Sequence, residues 1–489
     1  MGEAERTEPR PARVLWGRIV GPLLFLGVLL LPAGQLGALG LRVVAAIAWM
    51  AVWWVTEAVP LAITSLLPLV LFPLMSVRGI RDVAPNYAEH MVFLFLGGFV
   101  LALAVERSGL HRRLALGILH RIGSSPRRLV WGFLLSTATL SMWLSNTATT
   151  LMMLPIAAGV VDRMEEERAG MRLFLAVAFG ASIGGLGTLI GTPPNLVLAG
   201  MAPGLVPGIA PLTFGGWMLF GIPLVVLMLP VAGLLLSRGL SRKDSGAMET
   251  LESERLALGP MAPRERRAAL LFGVTALAWI TRSGMTFGNL SIPGWGQLFS
   301  DPRTVSDAVP AVAAAVLAAL VPGGGGDRRP LVTWEEIRHG VPWGVLLLFG
   351  GGFAVADAVS SVGVDTWLAG RLHGISVLPL PLMVLAVALV AMGATELTSN
   401  TATATLLMPV MAALARVLEV PPYLLMVPAT VACSCAFMLP VATPPNAIVI
   451  GSGHVTAPDL FREGIRLNLI AAVIITVLTL TLGRLVLPM

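Results

Sequence analysis

Long apolar runs separated by short, arginine-bearing loops dominate the chain, and they predict membrane-spanning helices rather than the short amphipathic elements of a soluble core. Eleven such runs can be placed, near residues 14–32, 41–57, 60–75, 91–106, 171–200, 215–237, 267–285, 305–322, 341–360, 423–450 and 464–488. A helix needs about 20 apolar residues to cross a bilayer, so each run is an expected span. The run from Val14 to Leu31 is read as a first span and not as a secretory leader, because no small-residue cleavage signal followed by a soluble domain closes it. Two further stretches, 129–160 and 381–411, are apolar at both ends and polar in the middle.

The arginines say how to treat those two stretches. Arg107, Arg112, Arg113, Arg121, Arg127 and Arg128 precede the first, and Arg163, Arg168 and Arg172 follow it. Positive charge marks cytoplasmic loops, so both ends lie on one side and the stretch enters the membrane and returns as a re-entrant hairpin. The basic loops 238–267 and 323–340 fall on that same side, and the uncharged stretch 201–214 falls on the other. With the second stretch also re-entrant, from outside, eleven spans put the N-terminus in the cytoplasm and the C-terminus outside. The fold class expected is an all-α polytopic membrane protein with two re-entrant helical hairpins.

Composition narrows the classes. Of 489 residues, 56% are hydrophobic and 12% charged, with a mean hydropathy of +0.84. That is about half the charge of an ordinary globular chain, which argues against a cytosolic enzyme, a nucleic-acid binder or a secreted disulfide scaffold and names lipid as the surrounding partner. The net charge is +6, and Lys243 is the lone lysine. Arginine-rich, lysine-poor usage points to a bacterium with a GC-rich genome and so to its inner membrane. Cys433 and Cys435 sit in an apolar run with no further cysteine or clustered histidine to complete a metal site, so they are expected to pack. Gly323 to Gly326 reads as a flexible loop, since no Gly-Lys-Ser/Thr follows to make a phosphate cradle.

The chain also repeats itself. FLGGF at Phe95 to Phe99 returns as FGGGF at Phe349 to Phe353, a separation of 254, and SNTATT from Ser145 returns at that separation as SNTATA from Ser399. TPPN from Thr192 returns from Thr443, 251 residues on. Three landmarks in the same order imply duplication. With five spans and one hairpin per unit, the second unit starts on the opposite face, which is the inverted-repeat plan of secondary transporters. The division expected is an N-terminal cytoplasmic tail over 1–13, a first transmembrane helix over 14–40, a first repeat over 41–240 with hairpin 129–160, a cytoplasmic linker over 241–266, and a second repeat over 267–489 with hairpin 381–411.

Non-helical backbone at membrane depth is tolerated only inside protein or beside a wet cavity. Ser-Asn-Thr at each hairpin tip would end one half-helix and start another, leaving free carbonyls and free N–H groups. Carbonyls and hydroxyls suit a hard cation, and N–H groups at a helix start suit an anion. Pro-Pro in TPPN removes donors and frees carbonyls upstream. No Arg, Lys or His occurs over Ser141–Thr150, Thr188–Asn195 or Ala442–Asn446, and the second hairpin adds one acid, Glu396, which is either a proton or cation ligand or the cap of a half-helix. Bare charge at that depth is expensive, so an anion there calls for co-bound cations, and sodium fits oxygen-only ligation. Serine, threonine and small residues also serve close helix packing, but two SNT motifs, each followed by TPPN after a similar interval, point to a site. A channel or a pump, and an intramembrane hydrolase, are rival classes. A pump's nucleotide-binding segment is absent from the sequence, and no nucleophile has a histidine or acid partner at depth.

At these residues the chain resembles the divalent anion:sodium symporter family, the carriers of dicarboxylates, citrate and sulfate. The likeness runs almost the full length, through WWVTEAVPLAITSLLPLVLFPL from Trp53, SMWLSNTATTLMMLP from Ser141, GTPPN from Gly191, PWGVLLLFGGGFAVADA from Pro342, TELTSNTATATLLMPV from Thr395 and AFMLPVATPPNAIVIGSG from Ala436. The resemblance implies a homodimer, each protomer having a scaffold domain and a transport domain that slides as an elevator. It implies a first Na+ site at Ser141, Ser145, Asn146 and Gly191, and a second at Thr395, Ser399, Asn400 and Ala442. It implies a substrate held between the tips by Ser145, Asn146, Thr147, Ser399, Asn400 and Thr401, with Thr192 and Thr443 beside it. Thr192 stands where the family also uses serine, and the added methyl group bears on which anion fits. Family members that exchange one dicarboxylate for another are expected to carry basic residues in place of sodium, and none stands at these tips. The activity implied is sodium-coupled symport of a small dianion such as succinate, malate or fumarate, with sulfate and citrate as alternatives.

Overall fold

The computed structural model describes residues 11–164, 166–287, 290–372 and 378–488, so most of the expected N-terminal tail, residues 1–10, lies outside the described residues. The fold is helical almost throughout. Among the described residues, seven helices are long and apolar enough to cross a membrane, including Gly34–Thr56, Phe214–Ser237 and Trp343–Ser361. Leu23, Leu234, Val274, Leu320, Val390 and Val473 stand exposed on helix surfaces, a distribution that water would penalise and hydrocarbon accepts.

The run expected as a single span over 60–75 is two short helices, Leu61–Thr64 and Leu67–Leu74. Pro68 has no N–H for the carbonyl of Thr64, which ends the first turn. The Tyr87 hydroxyl donates to the Ser65 carbonyl at the break. The glycine run also differs from expectation. It is the tight turn of a β-hairpin pairing Pro322–Gly324 with Asp327–Pro330, and Gly324, Gly325 and Gly326 take φ of 85°, 64° and 93°, which side chains other than glycine rarely adopt.

The duplication read from motifs is visible as element order. Helices His90–Ser108, Leu110–Ile122, Pro126–Ser141, Asn146–Val161, Glu167–Gly185, Pro193–Leu205 and Phe214–Ser237 are followed in the same order by Trp343–Ser361, Val364–Leu372, Leu380–Leu397, Asn400–Val417, Tyr423–Cys433, Pro444–Gly451 and Ala457–Leu478. Equivalent residues can touch only near the axis that relates their halves. Phe95 and Phe349 do so, edge to face at 4.9 Å, which places that axis between the two glycine-rich helices.

Local chemistry explains the hairpins. Ser125 accepts from Arg128 N and Pro126 opens the first helix, a favourable start because proline lacks the N–H that would go unpaired there. Ser145 accepts from Ala148 N at 3.2 Å and starts the return helix four residues after the first one ends. Between the repeats, helix Ala247–Ala257 is tied to helix Leu110–Ile122 by Arg112–Glu254 and by His120–Glu252 at 3.1 Å.

Candidate functional site

Four helix starts carry the motifs of the candidate site: Asn146 and Asn400 at the hairpin tips, Pro193 and Pro444 in the two broken helices. The packing is crossed. The return helix of the first hairpin lies against Pro444–Gly451, and that of the second lies against Pro193–Leu205. The two breaks also meet directly, with Thr192 Oγ1 3.3 Å from Ser434 Oγ and the Phe179 and Phe437 rings 5.2 Å apart. Motifs some 250 residues apart are thereby gathered into one region.

The breaks themselves are bolted in the same way. The first covers Leu186 to Thr192 and the second Ser434 to Thr443. Asn195 Nδ2 donates to the carbonyls of Gly185 and Thr188 at 3.2 and 2.8 Å. Asn446 Nδ2 donates to those of Ala436 and Leu439, both at 3.0 Å. All three positions correspond at a separation of 251. Each asparagine closes a loop of backbone that proline cannot close, because Pro193–Pro194 and Pro444–Pro445 offer no N–H. Gly221 and Gly464 face the breaks from the following helices, where a Cβ would come within 2.7 Å of the Leu186 carbonyl and 2.0 Å of the Phe437 carbonyl. Only glycine allows that approach.

At the first tip the Asn146 amide lies 2.7 Å from Ser141 Oγ. With its nitrogen turned to donate, as its neighbours require, it also reaches the carbonyls of Ala181 at 3.1 Å and Gly191 at 3.3 Å. Three of the residues expected around the first cation, Ser141, Asn146 and Gly191, are thus together. The fourth, Ser145, is exposed and its hydroxyl caps the return helix. At the second tip Thr395 Oγ1 lies 2.7 Å from both Asn400 Oδ1 and the Cys433 carbonyl. Ser399 gives its carbonyl to Thr403 N at 2.9 Å. Ala442 sits in the second break, where its N–H reaches the Leu439 carbonyl at 3.2 Å, and no hydrogen bond joins it to Asn400 among the described residues.

The expected substrate contacts are placed as follows. Thr147 is half-buried and Thr401 buried, each in the first turn of its return helix. Thr192 is buried and turned to Ser434. Thr443 accepts from Asn446 N at 3.4 Å and caps its half-helix. The chemistry of the region is therefore hydroxyls, amides and peptide groups, with no basic side chain over Ser141–Thr150, Thr188–Asn195 or Ala442–Asn446.

Glu396 is resolved between its two readings. Its carboxylate accepts from Met438 N at 2.9 Å, Leu439 N at 2.8 Å and Asn468 Nδ2 at 3.0 Å, so it caps the free N–H groups of the second break. In the first repeat its position is held by Met142 and that of Leu439 by Thr188, and there Thr188 Oγ1 donates to the Met142 carbonyl at 2.5 Å. Asn195, Asn446, Asn468 and Thr188 are absent from the expected site, though the two motif asparagines occupy matched places in TPPN and carried a usable signal.

Comparison with known proteins agrees with this architecture. Residues 12–489 match the family described as the sodium:sulfate symporter transmembrane region. A sodium-dependent dicarboxylate transporter, SdcS, of Staphylococcus saprophyticus is 37% identical over 477 residues, covering 94% of this chain and 90% of that protein. Its namesake from Staphylococcus aureus is 38% identical over 490 residues, covering 97% and 92%. Among solved structures, the YdaH transporter of Alcanivorax borkumensis aligns with a TM-score of 0.55 at 16% identity over 83% of this chain and 89% of that one. MtrF of Neisseria gonorrhoeae aligns at 0.57 and 12% identity over 82% of each. These distant structures share the fold alone. With a family match over almost its whole length and relatives above a third identical, the chain belongs to the sodium:sulfate symporter family.

Proposed function

We propose that the chain couples sodium movement to the uptake of a small dianion, a C4-dicarboxylate such as succinate, malate or fumarate. The observation that carries this reading is the pair of hairpin tips that offer oxygen ligands and helix N-termini with no cationic side chain. Free N–H groups at the helix starts suit a carboxylate. Sodium held by Ser141, Asn146 and the Gly191 carbonyl on one side, and by Thr395 and Asn400 on the other, would cancel charge that lipid penalises. Ser145, Ser399 and Ala442 complete the two cation sets in this proposal, and Thr147, Thr401, Thr192 and Thr443 complete the anion contacts. The names of the two staphylococcal relatives favour dicarboxylate. The family description favours sulfate as the second reading.

The crossed packing of hairpins on broken helices supports treating them as a single transport body that slides against a scaffold as an elevator. The family resemblance supports a homodimer in a bacterial inner membrane. Positive loops place the N-terminus inside and the C-terminus outside in this proposal. The test is uptake of labelled succinate and labelled sulfate by proteoliposomes, with external sodium or potassium. Saturable, sodium-requiring succinate uptake is expected. Equal uptake in potassium would remove the symport reading, and sodium-driven sulfate uptake alone would move the substrate.

A further inference from the structure

Nine of the chain's basic residues gather on one face, at the foot of the first hairpin, from three separate segments. Arg127 N donates to the Ser241 carbonyl at 3.3 Å, and Ser245 Oγ donates to the Ser124 carbonyl at 2.5 Å, which joins segment 121–128 to segment 238–245. Arg172 Nη1 donates to the Arg238 carbonyl, and Ser241 N donates to Glu166 at 3.4 Å, which brings segment 162–172 to the same place. Over the three segments basic residues exceed acidic ones by four. Arg121, Arg128, Arg168, Arg238, Arg242 and Lys243 are all exposed. None of the six forms an ion pair among the described residues.

Two of the acids in these segments are held by hydroxyl and backbone donors, and Asp162 stands exposed. Asp244 accepts from Ser124 Oγ at 2.7 Å and Gly246 N at 2.9 Å, contacts that hold its carboxyl below the usual range. Glu166 accepts from Ser241 N. The fold does not require the charge. In the second repeat the positions of Arg127 and Arg128 are Pro381 and Leu382. Orientation needs a bias of positive charge between the two faces, but it does not need that excess to converge from three segments on one patch.

We infer that this patch binds the phosphate headgroup of an anionic phospholipid from the adjoining leaflet, and so anchors the foot of the first hairpin at the membrane surface. Charge complementarity selects the occupant. Exposed arginine and lysine at membrane level meet phosphate esters, and each such residue contributes on the order of a fivefold gain in association with an anionic surface.

The test uses the full chain in vesicles of phosphatidylcholine with a spin-labelled lipid, either phosphatidylglycerol or phosphatidylcholine, and reads the association preference for the first over the second. A preference for phosphatidylglycerol is expected. The variant Arg121→Gln/Arg128→Gln/Arg242→Gln/Lys243→Gln should lower it by at least about tenfold. Arg242→Gln alone should give a partial loss, while Arg328→Gln/Arg329→Gln, exposed in the β-hairpin outside the three segments, should give a smaller loss than the fourfold variant. Equal preference in the fourfold variant and the parent, or an equal loss in the β-hairpin control, would overturn the inference. So would full competition by millimolar inorganic phosphate, which would make the patch a site for the free ion.

Discussion

The two broken helices are bolted identically by their asparagines, yet each is fastened to its hairpin by different chemistry. In the first repeat a neutral hydroxyl, Thr188, reaches a peptide carbonyl at Met142. In the second a carboxylate, Glu396, at the position equivalent to Met142, takes two peptide N–H groups and an amide. The second break is the longer one, ten residues against seven, and exposes more backbone donors. A neutral hydrogen bond contributes about 1 kcal/mol, and one to a charged group about 1.5–3 kcal/mol. Duplication thus kept the asparagine bolts of the two breaks while the fastening to the hairpins drifted, and the carboxyl fastening stands where more donors need a partner.

That comparison can be broken at several strengths. The largest effect is expected from Asn146→Asp or Asn400→Asp. A like charge roughly 4 Å from one carboxylate of the bound dianion costs about 4 kcal/mol at an effective dielectric near 20, so either variant should lose most of its succinate uptake, upwards of about 100-fold. Equal losses would show that the two tips serve one anion. Normal uptake by either would move the site elsewhere.

Next comes Glu396→Ala, which strands three donors, two part-buried and one buried, and should lower thermal stability by about 3 kcal/mol, with transport reduced in proportion to folded protein. Thermal unfolding followed by tryptophan fluorescence in detergent measures it. Asn195→Ala and Asn446→Ala should each cost about 2 kcal/mol, because each takes the side-chain donor from two carbonyls, Gly185 and Thr188 or Ala436 and Leu439, of which Thr188 and Leu439 keep one backbone donor. Similar losses are required if the bolts are equivalent, and a several-fold disparity would contradict the symmetry. The smallest effect belongs to Thr188→Val, about 1 kcal/mol, the counterpart of Glu396→Ala in the first repeat. A loss as large as that of Glu396→Ala would erase the distinction between the two fastenings.

Much of this architecture was legible because lipid enforces simple rules. Apolar runs became helices, and the spacing of 254 located the hairpin tips, whereas the meeting of Phe95 with Phe349, equivalent at that spacing, is seen only in the structure. Gaps opened where structure depends on contacts distant in sequence. The function of Glu396 is set by Met438 and Leu439, more than 40 residues away, and by Asn468. The Pro-Pro of TPPN marked the break, but its extent is hidden in a run that reads Leu186, Gly187, Thr188, Leu189, Ile190, with little polarity to show where the helix stops. Pro68 gave a local signal for the interrupted segment near 65, but hydropathy over 60–75 outweighed it. Glycines 324 to 326 carried the turn chemistry of a hairpin, and flexibility was the wrong inference from them.

The central claim is that metal ions, and not basic side chains, neutralise the dianion at the hairpin tips. Equilibrium binding of labelled succinate to the purified protein, titrated with sodium at constant ionic strength using potassium as replacement, tests it most directly. The account predicts that binding is lost without sodium and that affinity rises more steeply than in proportion to sodium concentration. The same affinity in potassium as in sodium would contradict it.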